Sequence, residues 1–151
     1  MVGKPHLLIV EARFYADIAD ALVEGAVEAI EAVGGTYDRI EVPGAFEIPA
    51  AIRFAADGAA SGGIKYDGYV GLGCVIRGET SHYDYVCEES ARGLQQLAIV
   101  DRLAIGYGVL TVENAQQAWA RADKAQKNKG GDVANAALRM IEIKKKFGVV
   151  G

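Results

Sequence analysis

The chain has 151 residues, 51% of them hydrophobic and 24% charged, and a net charge of −4; one domain spanning residues 1–151 is expected, and the lack of a basic excess excludes nucleic acid as a partner. Its two cysteines, Cys74 and Cys87, form no C-x-x-C pair, which excludes a disulfide framework and a structural zinc site. Lys4-Pro5-His6 interrupts any signal peptide, and no apolar run approaches the roughly 18 residues of a membrane span, so a soluble cytoplasmic protein with no membrane partner is expected.

Residues 6–10 (HLLIV) predict a buried first strand, with residues 11–15 as its tip. Asp17 can cap a helix on which Ile18, Leu22, Ala26, Ala29, Ile30 and Val33 recur at helical spacing, and Gly34-Gly35 stops it. Residues 37–42 (YDRIEV) predict a second strand, followed by PGAFEIP at 43–49 and a helix over 50–60. A third strand over 68–74 leads through a glycine turn into a helix over about 82–98. A fourth strand is expected over 102–110, and 111–114 cap a helix reaching about residue 124. A polar loop over 126–131 precedes a last amphipathic helix with Val133, Ala137, Met140 and Ile141. Strands alternate with helices throughout, which predicts an α/β fold with a short parallel sheet covered on both faces.

In such a sheet ligands bind at the carboxyl edge of the strands. The first tip carries Phe14, the second Phe46 and Glu47, the third Gly78 to His82, and the fourth Thr111 to Asn114. Two aromatic faces suit a flat heterocycle. Glu47 can accept hydrogen bonds from hydroxyl groups, and N–H groups at Glu79-Thr80 can hold a phosphate where a helix begins. His82, one of only two histidines, can shuttle protons near neutral pH. Each residue also has a plainer reading. Phe14 or Phe46 alone fits a core position, His82 fits a helix start satisfied by backbone, and Arg77 and an isolated Arg121 fit solvated surface charges. The Lys144-Lys145-Lys146 run suits a helix C-terminus. Gly71, Gly73 and Gly78 do not form G-x-G-x-x-G, because Ile76 stands at the last position, and no P-loop lysine follows a glycine loop. Arg121 and KAQKNKGGD at 124–132 form a second polar cluster, in which Arg121 offers a fork of donors for a phosphate.

PGAFEIP at 43–49, GCVIRGETSHYDYV at 73–86 and GVLTVEN at 108–114 closely resemble the 6,7-dimethyl-8-ribityllumazine synthase family, and the resemblance extends over about residues 6–147. It implies a flavodoxin-like three-layer α/β/α sandwich on a four-stranded parallel sheet of order 2-1-3-4. It also implies homopentamers, which in some members pack into decamers or icosahedral shells. On matching positions, Phe14 looks like the aromatic that stacks on a pyrimidine, and Ala45, Phe46 and Glu47 like the segment holding the pyrimidine substrate and its ribityl chain. Cys74, Val75 and Ile76 resemble the segment lining the ring pocket. Glu79 and Thr80 match the phosphate-holding turn, His82 the proton-transfer histidine and Arg121 the phosphate-binding arginine. Lys129 and Asp132 match a polar pair beside the pocket, and Tyr107 stands where phenylalanine is common. Ala125 departs from the pattern: several members carry lysine there, and here Lys124 and Lys127 lie nearby.

The implied reaction condenses a ribitylaminouracil with a phosphorylated butanone, releasing phosphate and water, with no metal or organic cofactor. A binding module that stores lumazines or flavins would keep Phe14 and Phe46 without needing His82 and Arg121 together. An unrelated flavodoxin-like redox protein would be yellow and reducible.

Overall fold

The computed structural model describes residues 3–149. In chain order it contains β1 (His6–Ala12), α1 (Ala16–Ala32), β2 (Thr36–Val42), a 3-10 turn (Ala45–Glu47), α2 (Ile48–Ala60), β3 (Gly68–Ile76), α3 (His82–Val100), β4 (Ile105–Val112), α4 (Ala115–Ala122) and α5 (Lys129–Lys146). The strands form one parallel sheet of order β2-β1-β3-β4, the α/β architecture expected from the alternating pattern.

The central strands are apolar on both sides because helices cover both faces. From β1, Leu7 and Ile9 join a cluster with Ile18, Leu22, Ile30, Ala118, Ala134 and Ile141, so α1, α4 and α5 share one face. Leu8 and Val10 join Ile48, Ile52, Val86, Leu94 and Leu97, placing α2 and α3 on the other. The helix layer approaches the edge strand so closely that a Cβ on Gly106 would lie 2.1 Å from the Val133 carbonyl oxygen. Among the described residues no helix is long and apolar enough to cross a membrane.

Several boundaries differ from the sequence-based expectation, each for a tertiary reason. β1 runs to Ala12 because Val10 to Ala12 pair with Ile40 to Val42. β3 runs to Ile76 because Val75 and Ile76 pair with Thr111 and Val112; the same pairing shifts β4 to Ile105–Val112. Asp17 is not the cap of α1. Tyr15 occupies that place without a side-chain hydrogen bond, and Asp17 sits in the first turn, where the helix dipole favours it. α5 begins inside the stretch read as loop. Asn128, at φ 45°, caps it by accepting a hydrogen bond from the Gly131 N–H at 3.2 Å. Gly130 lies within the helix because α1 crosses there, and a Cβ would fall 2.0 Å from the Leu22 carbonyl oxygen. Val33 and Met140, counted on the apolar faces, are exposed.

Candidate active site

The sheet order reverses the direction of winding between β1 and β3, and a crevice opens beyond their carboxyl ends. A cavity of about 400 Å³ occupies that crevice. Ala12 and Cys74 to Ile76 supply the strand tips, Phe14 and Tyr15 the loop after β1, Pro43 to Phe46 the segment after β2, and His82 and Val86 the start of α3. The structure therefore gathers Phe14, Ala45, Phe46, Cys74, Val75, Ile76 and His82 from separate segments into one lining.

Phe14 is 79% exposed and meets the Tyr15 ring edge-on at 4.9 Å, while Phe46 is 53% exposed. Rings this accessible are not core packing, which removes the plainer reading of both and leaves two aromatic faces free to meet a flat ligand. Cys74 stands on the cavity wall, where burial pushes its thiol up to about 11, so it stays neutral at ordinary pH.

His82 opens α3 at the cavity rim. Its backbone N–H reaches Thr80 Oγ1 at 3.4 Å, but among the described residues its ring has no hydrogen-bond partner. The imidazole is thus exposed at the cavity rim. Glu79 and Thr80 lie in the exposed bend before it. Arg77 holds this bend in place. Its guanidinium bonds Glu113 at 3.0 Å, reaches Asp84 at 3.4 Å and lies 4.3 Å over the Tyr83 ring, so it is a surface charge that is both solvated and paired. Glu47 is exposed beside the cavity and does not line it.

Four expected residues stand apart. Tyr107 pairs with Gly71 in the β4–β3 register, three positions below Cys74, and burial raises its phenol. Arg121 lies on α4, where Nη1 donates to the Gln117 carbonyl at 3.0 Å. Lys129 and Asp132 are exposed in the first turn of α5. None lines the cavity. Lys124 does not replace the lysine missing at Ala125: its ammonium is drawn to Glu28 at 2.7 Å and Glu24 at 3.0 Å, two bonds that raise its pKa.

Sequence reasoning missed Ala12, Tyr15, Pro43, Gly44 and Val86 as lining, and it missed Glu11, next to Ala12 in β1. Glu11 is 2% exposed and carries two guanidiniums: Arg39 Nη2 donates to Oε1 at 3.0 Å and Arg13 Nη1 to the same oxygen at 2.8 Å. Burial alone would push this carboxyl up, but the hydrogen bonds and charges of Arg39 and Arg13 outweigh it and hold it below the usual range. The available signal was an acidic residue interrupting an apolar strand, with arginines two positions on and in the neighbouring strand. Among the described residues no three of His, Cys, Asp and Glu converge as ligands of a metal would.

The model of the family described as 6,7-dimethyl-8-ribityllumazine synthase matches residues 4–145. The chain is 63% identical over 147 residues to the 6,7-dimethyl-8-ribityllumazine synthase of Agrobacterium fabrum (strain C58 / ATCC 33970), covering 97% of this chain and 99% of that one. It is 60% identical over 146 residues to 6,7-dimethyl-8-ribityllumazine synthase 1 of Rhizobium meliloti (strain 1021), covering 96% and 95%. With the 6,7-dimethyl-8-ribityllumazine synthase of Bartonella tribocorum (strain CIP 105476 / IBS 506) it shares 59% over 148 residues, covering 98% and 95%.

Proposed function

The chain belongs to the 6,7-dimethyl-8-ribityllumazine synthase family, and from that premise we infer how its own residues divide the work. It is a transferase of riboflavin biosynthesis. It condenses 5-amino-6-(D-ribitylamino)uracil with 3,4-dihydroxy-2-butanone 4-phosphate to 6,7-dimethyl-8-ribityllumazine, releasing phosphate and water. The observation that carries the residue assignment is the cavity at the β1–β3 switch point, which joins Phe14, Phe46 and His82 in one lining.

The pyrimidine lies against Phe14, with Ala45, Phe46, Cys74, Val75 and Ile76 enclosing its ring and Glu47 accepting hydrogen bonds from the ribityl hydroxyls. The amine attacks the ketone to give an imine with loss of one water, phosphate departs, and the ring closes with loss of a second water. Each stage moves a proton, and His82 is the group that carries it. Arg121 and the N–H groups at Glu79 and Thr80 take the charge of the phosphate, with Lys129 and Asp132 beside it. Amine, carbonyl and phosphate-leaving chemistry needs only proton transfers, so no metal or organic cofactor enters. Holding two substrates in register can supply roughly 7–11 kcal/mol of the acceleration.

Phe46 follows one edge strand and Arg121 follows the opposite edge strand. Tyr107, Arg121, Lys129 and Asp132 therefore act on the cavity of a neighbouring copy in a head-to-tail ring, a homopentamer. Exposed Phe54, Ile99 and Val100, each at least 66% accessible, give such a ring apolar surface to bury. The chain works as one domain, since both apolar clusters share one sheet. A phosphorylated substrate does not cross a membrane unaided, which puts the enzyme in the cytoplasm. The test is direct: mixing both substrates with the protein produces a fluorescent lumazine and stoichiometric phosphate. Binding of lumazine without turnover would instead make the protein a carrier.

A further inference from the structure

The geometry points to Glu11 as a positioning residue for the pyrimidine site, acting through Arg13 on the Phe14 ring. The inference rests on Phe14 being the stacking platform. Phe14 projects from a three-residue loop between the end of β1 and the start of α1. At 79% exposure, with Tyr15 as its ring neighbour, it has little packing of its own to fix its direction. The backbone on either side must fix it instead.

Arg13 braces that loop from both ends. One arm of its guanidinium donates to Glu11 Oε1 in the strand below, at 2.8 Å; the other bonds Asp20 Oδ1 in α1 beyond. The Asp20 end is exposed and screened by solvent. The Glu11 end is buried, so solvent screens it far less. Arg39 of β2 grips the same carboxylate through Nε and Nη2. One buried carboxylate, next to Ala12 of the cavity lining, thus ties β1, β2 and the loop together. Arg39 also makes the brace separable from the fold: when Arg13 is removed, Glu11 keeps a two-point partner and is not left as an uncompensated buried charge.

The experiment compares Arg13→Gln, Glu11→Gln, Phe14→Ala and the Arg13→Gln/Phe14→Ala double variant in steady-state kinetics with both substrates. Phe14→Ala alone tests the platform and is expected to raise KM for 5-amino-6-(D-ribitylamino)uracil. Arg13→Gln raises the same KM by about three- to tenfold, the worth of one aromatic contact, and leaves KM for the phosphorylated butanone unchanged. On the Phe14→Ala background Arg13→Gln adds nothing further. Glu11→Gln behaves as Arg13→Gln does, and if it does not fold, Arg13→Gln decides alone. No change in Phe14→Ala ends the platform reading. A raised KM in Phe14→Ala with none in Arg13→Gln overturns the positioning role and leaves the platform standing. Full additivity in the double variant also overturns it, because Arg13 then acts elsewhere.

Discussion

Mixing two inactive variants should restore activity. The perturbations are His82→Ala, which removes the proposed proton carrier at the start of α3, and Arg121→Ala, which removes the proposed phosphate fork on α4. In the order β2-β1-β3-β4, the segment after β2 and the helix after β4 stand three strand steps apart, about 14 Å at roughly 4.8 Å per step. Arg121 already donates to the Gln117 carbonyl, and the cavity is lined without it. A site using both residues is therefore better closed across an interface. If each variant is slowed on the order of 10²-fold, with the phosphorylated substrate held well below the raised KM of Arg121→Ala, and neighbours mix at random, about a quarter of interfaces combine an intact His82 half with an intact Arg121 half. Activity should then exceed either parent by roughly 25-fold. The assay unfolds the two proteins together, refolds them, verifies mixed oligomers by native mass spectrometry and follows lumazine fluorescence. Verified mixed oligomers as inactive as their parents would place both residues in one subunit and refute the reasoning.

His82→Ala alone should slow turnover with substrate affinity largely kept; an unchanged kcat across the pH range would remove the imidazole from the mechanism. Arg121→Ala should mainly raise KM for the phosphorylated substrate, and Arg121→Lys should recover only part, since a point charge lacks the fork; equal affinity of wild type and variant for inorganic phosphate contradicts the assignment. With its thiol pushed up to about 11 from 9.0, Cys74 should carry about a hundredfold less thiolate than an ordinary cysteine and label slowly with a disulfide reagent at pH 8 in a Cys87→Ser background; rapid labelling would show the wall to be open to water. The Glu11 carboxyl is held below its ordinary 4.5, so its ion pairs stabilise fully above that pH and are lost as pH falls through the folded value. Urea midpoints of wild type should drop below pH 4.5 more steeply than those of Glu11→Gln, and parallel acid limbs would show the carboxylate contributes nothing.

The strands were legible because the central ones are buried on both faces, which writes them as unbroken apolar runs such as Leu7 to Val10. Their ends were not, because pairing decides them: Val75 and Ile76 become strand only because Thr111 and Val112 lie alongside. Gly130-Gly131 read as loop by local propensity, and only the approach of Leu22 to Gly130 and of the Asn128 side chain to Gly131 explains glycine inside α5. The aromatic and imidazole half of the site was legible from strand tips alone, since an α/β sheet brings successive tips to one edge. Glu11 was not, because its meaning lies in Arg39, 28 positions away and visible only once β1 and β2 pair.

The division of the candidate site follows from topology. A four-stranded sheet with one switch point has one crevice, between β1 and β3, and the chain fills it from β1, β2, β3 and α3. β4 is separated from β1 by β3, and its helices α4 and α5 pack through Ala118, Ala122 and Val133 on the α1 face. Residues on that side can complete the crevice of the same chain only by crossing over β3, whereas a head-to-tail neighbour can bring its β4 side to the open mouth beside Phe46. The polar cluster ending in Asp132 thus lies apart from the aromatic lining. The exposure of Phe14 and Phe46 is what the proposed assembly requires of a mouth open to a flat substrate and to a neighbour.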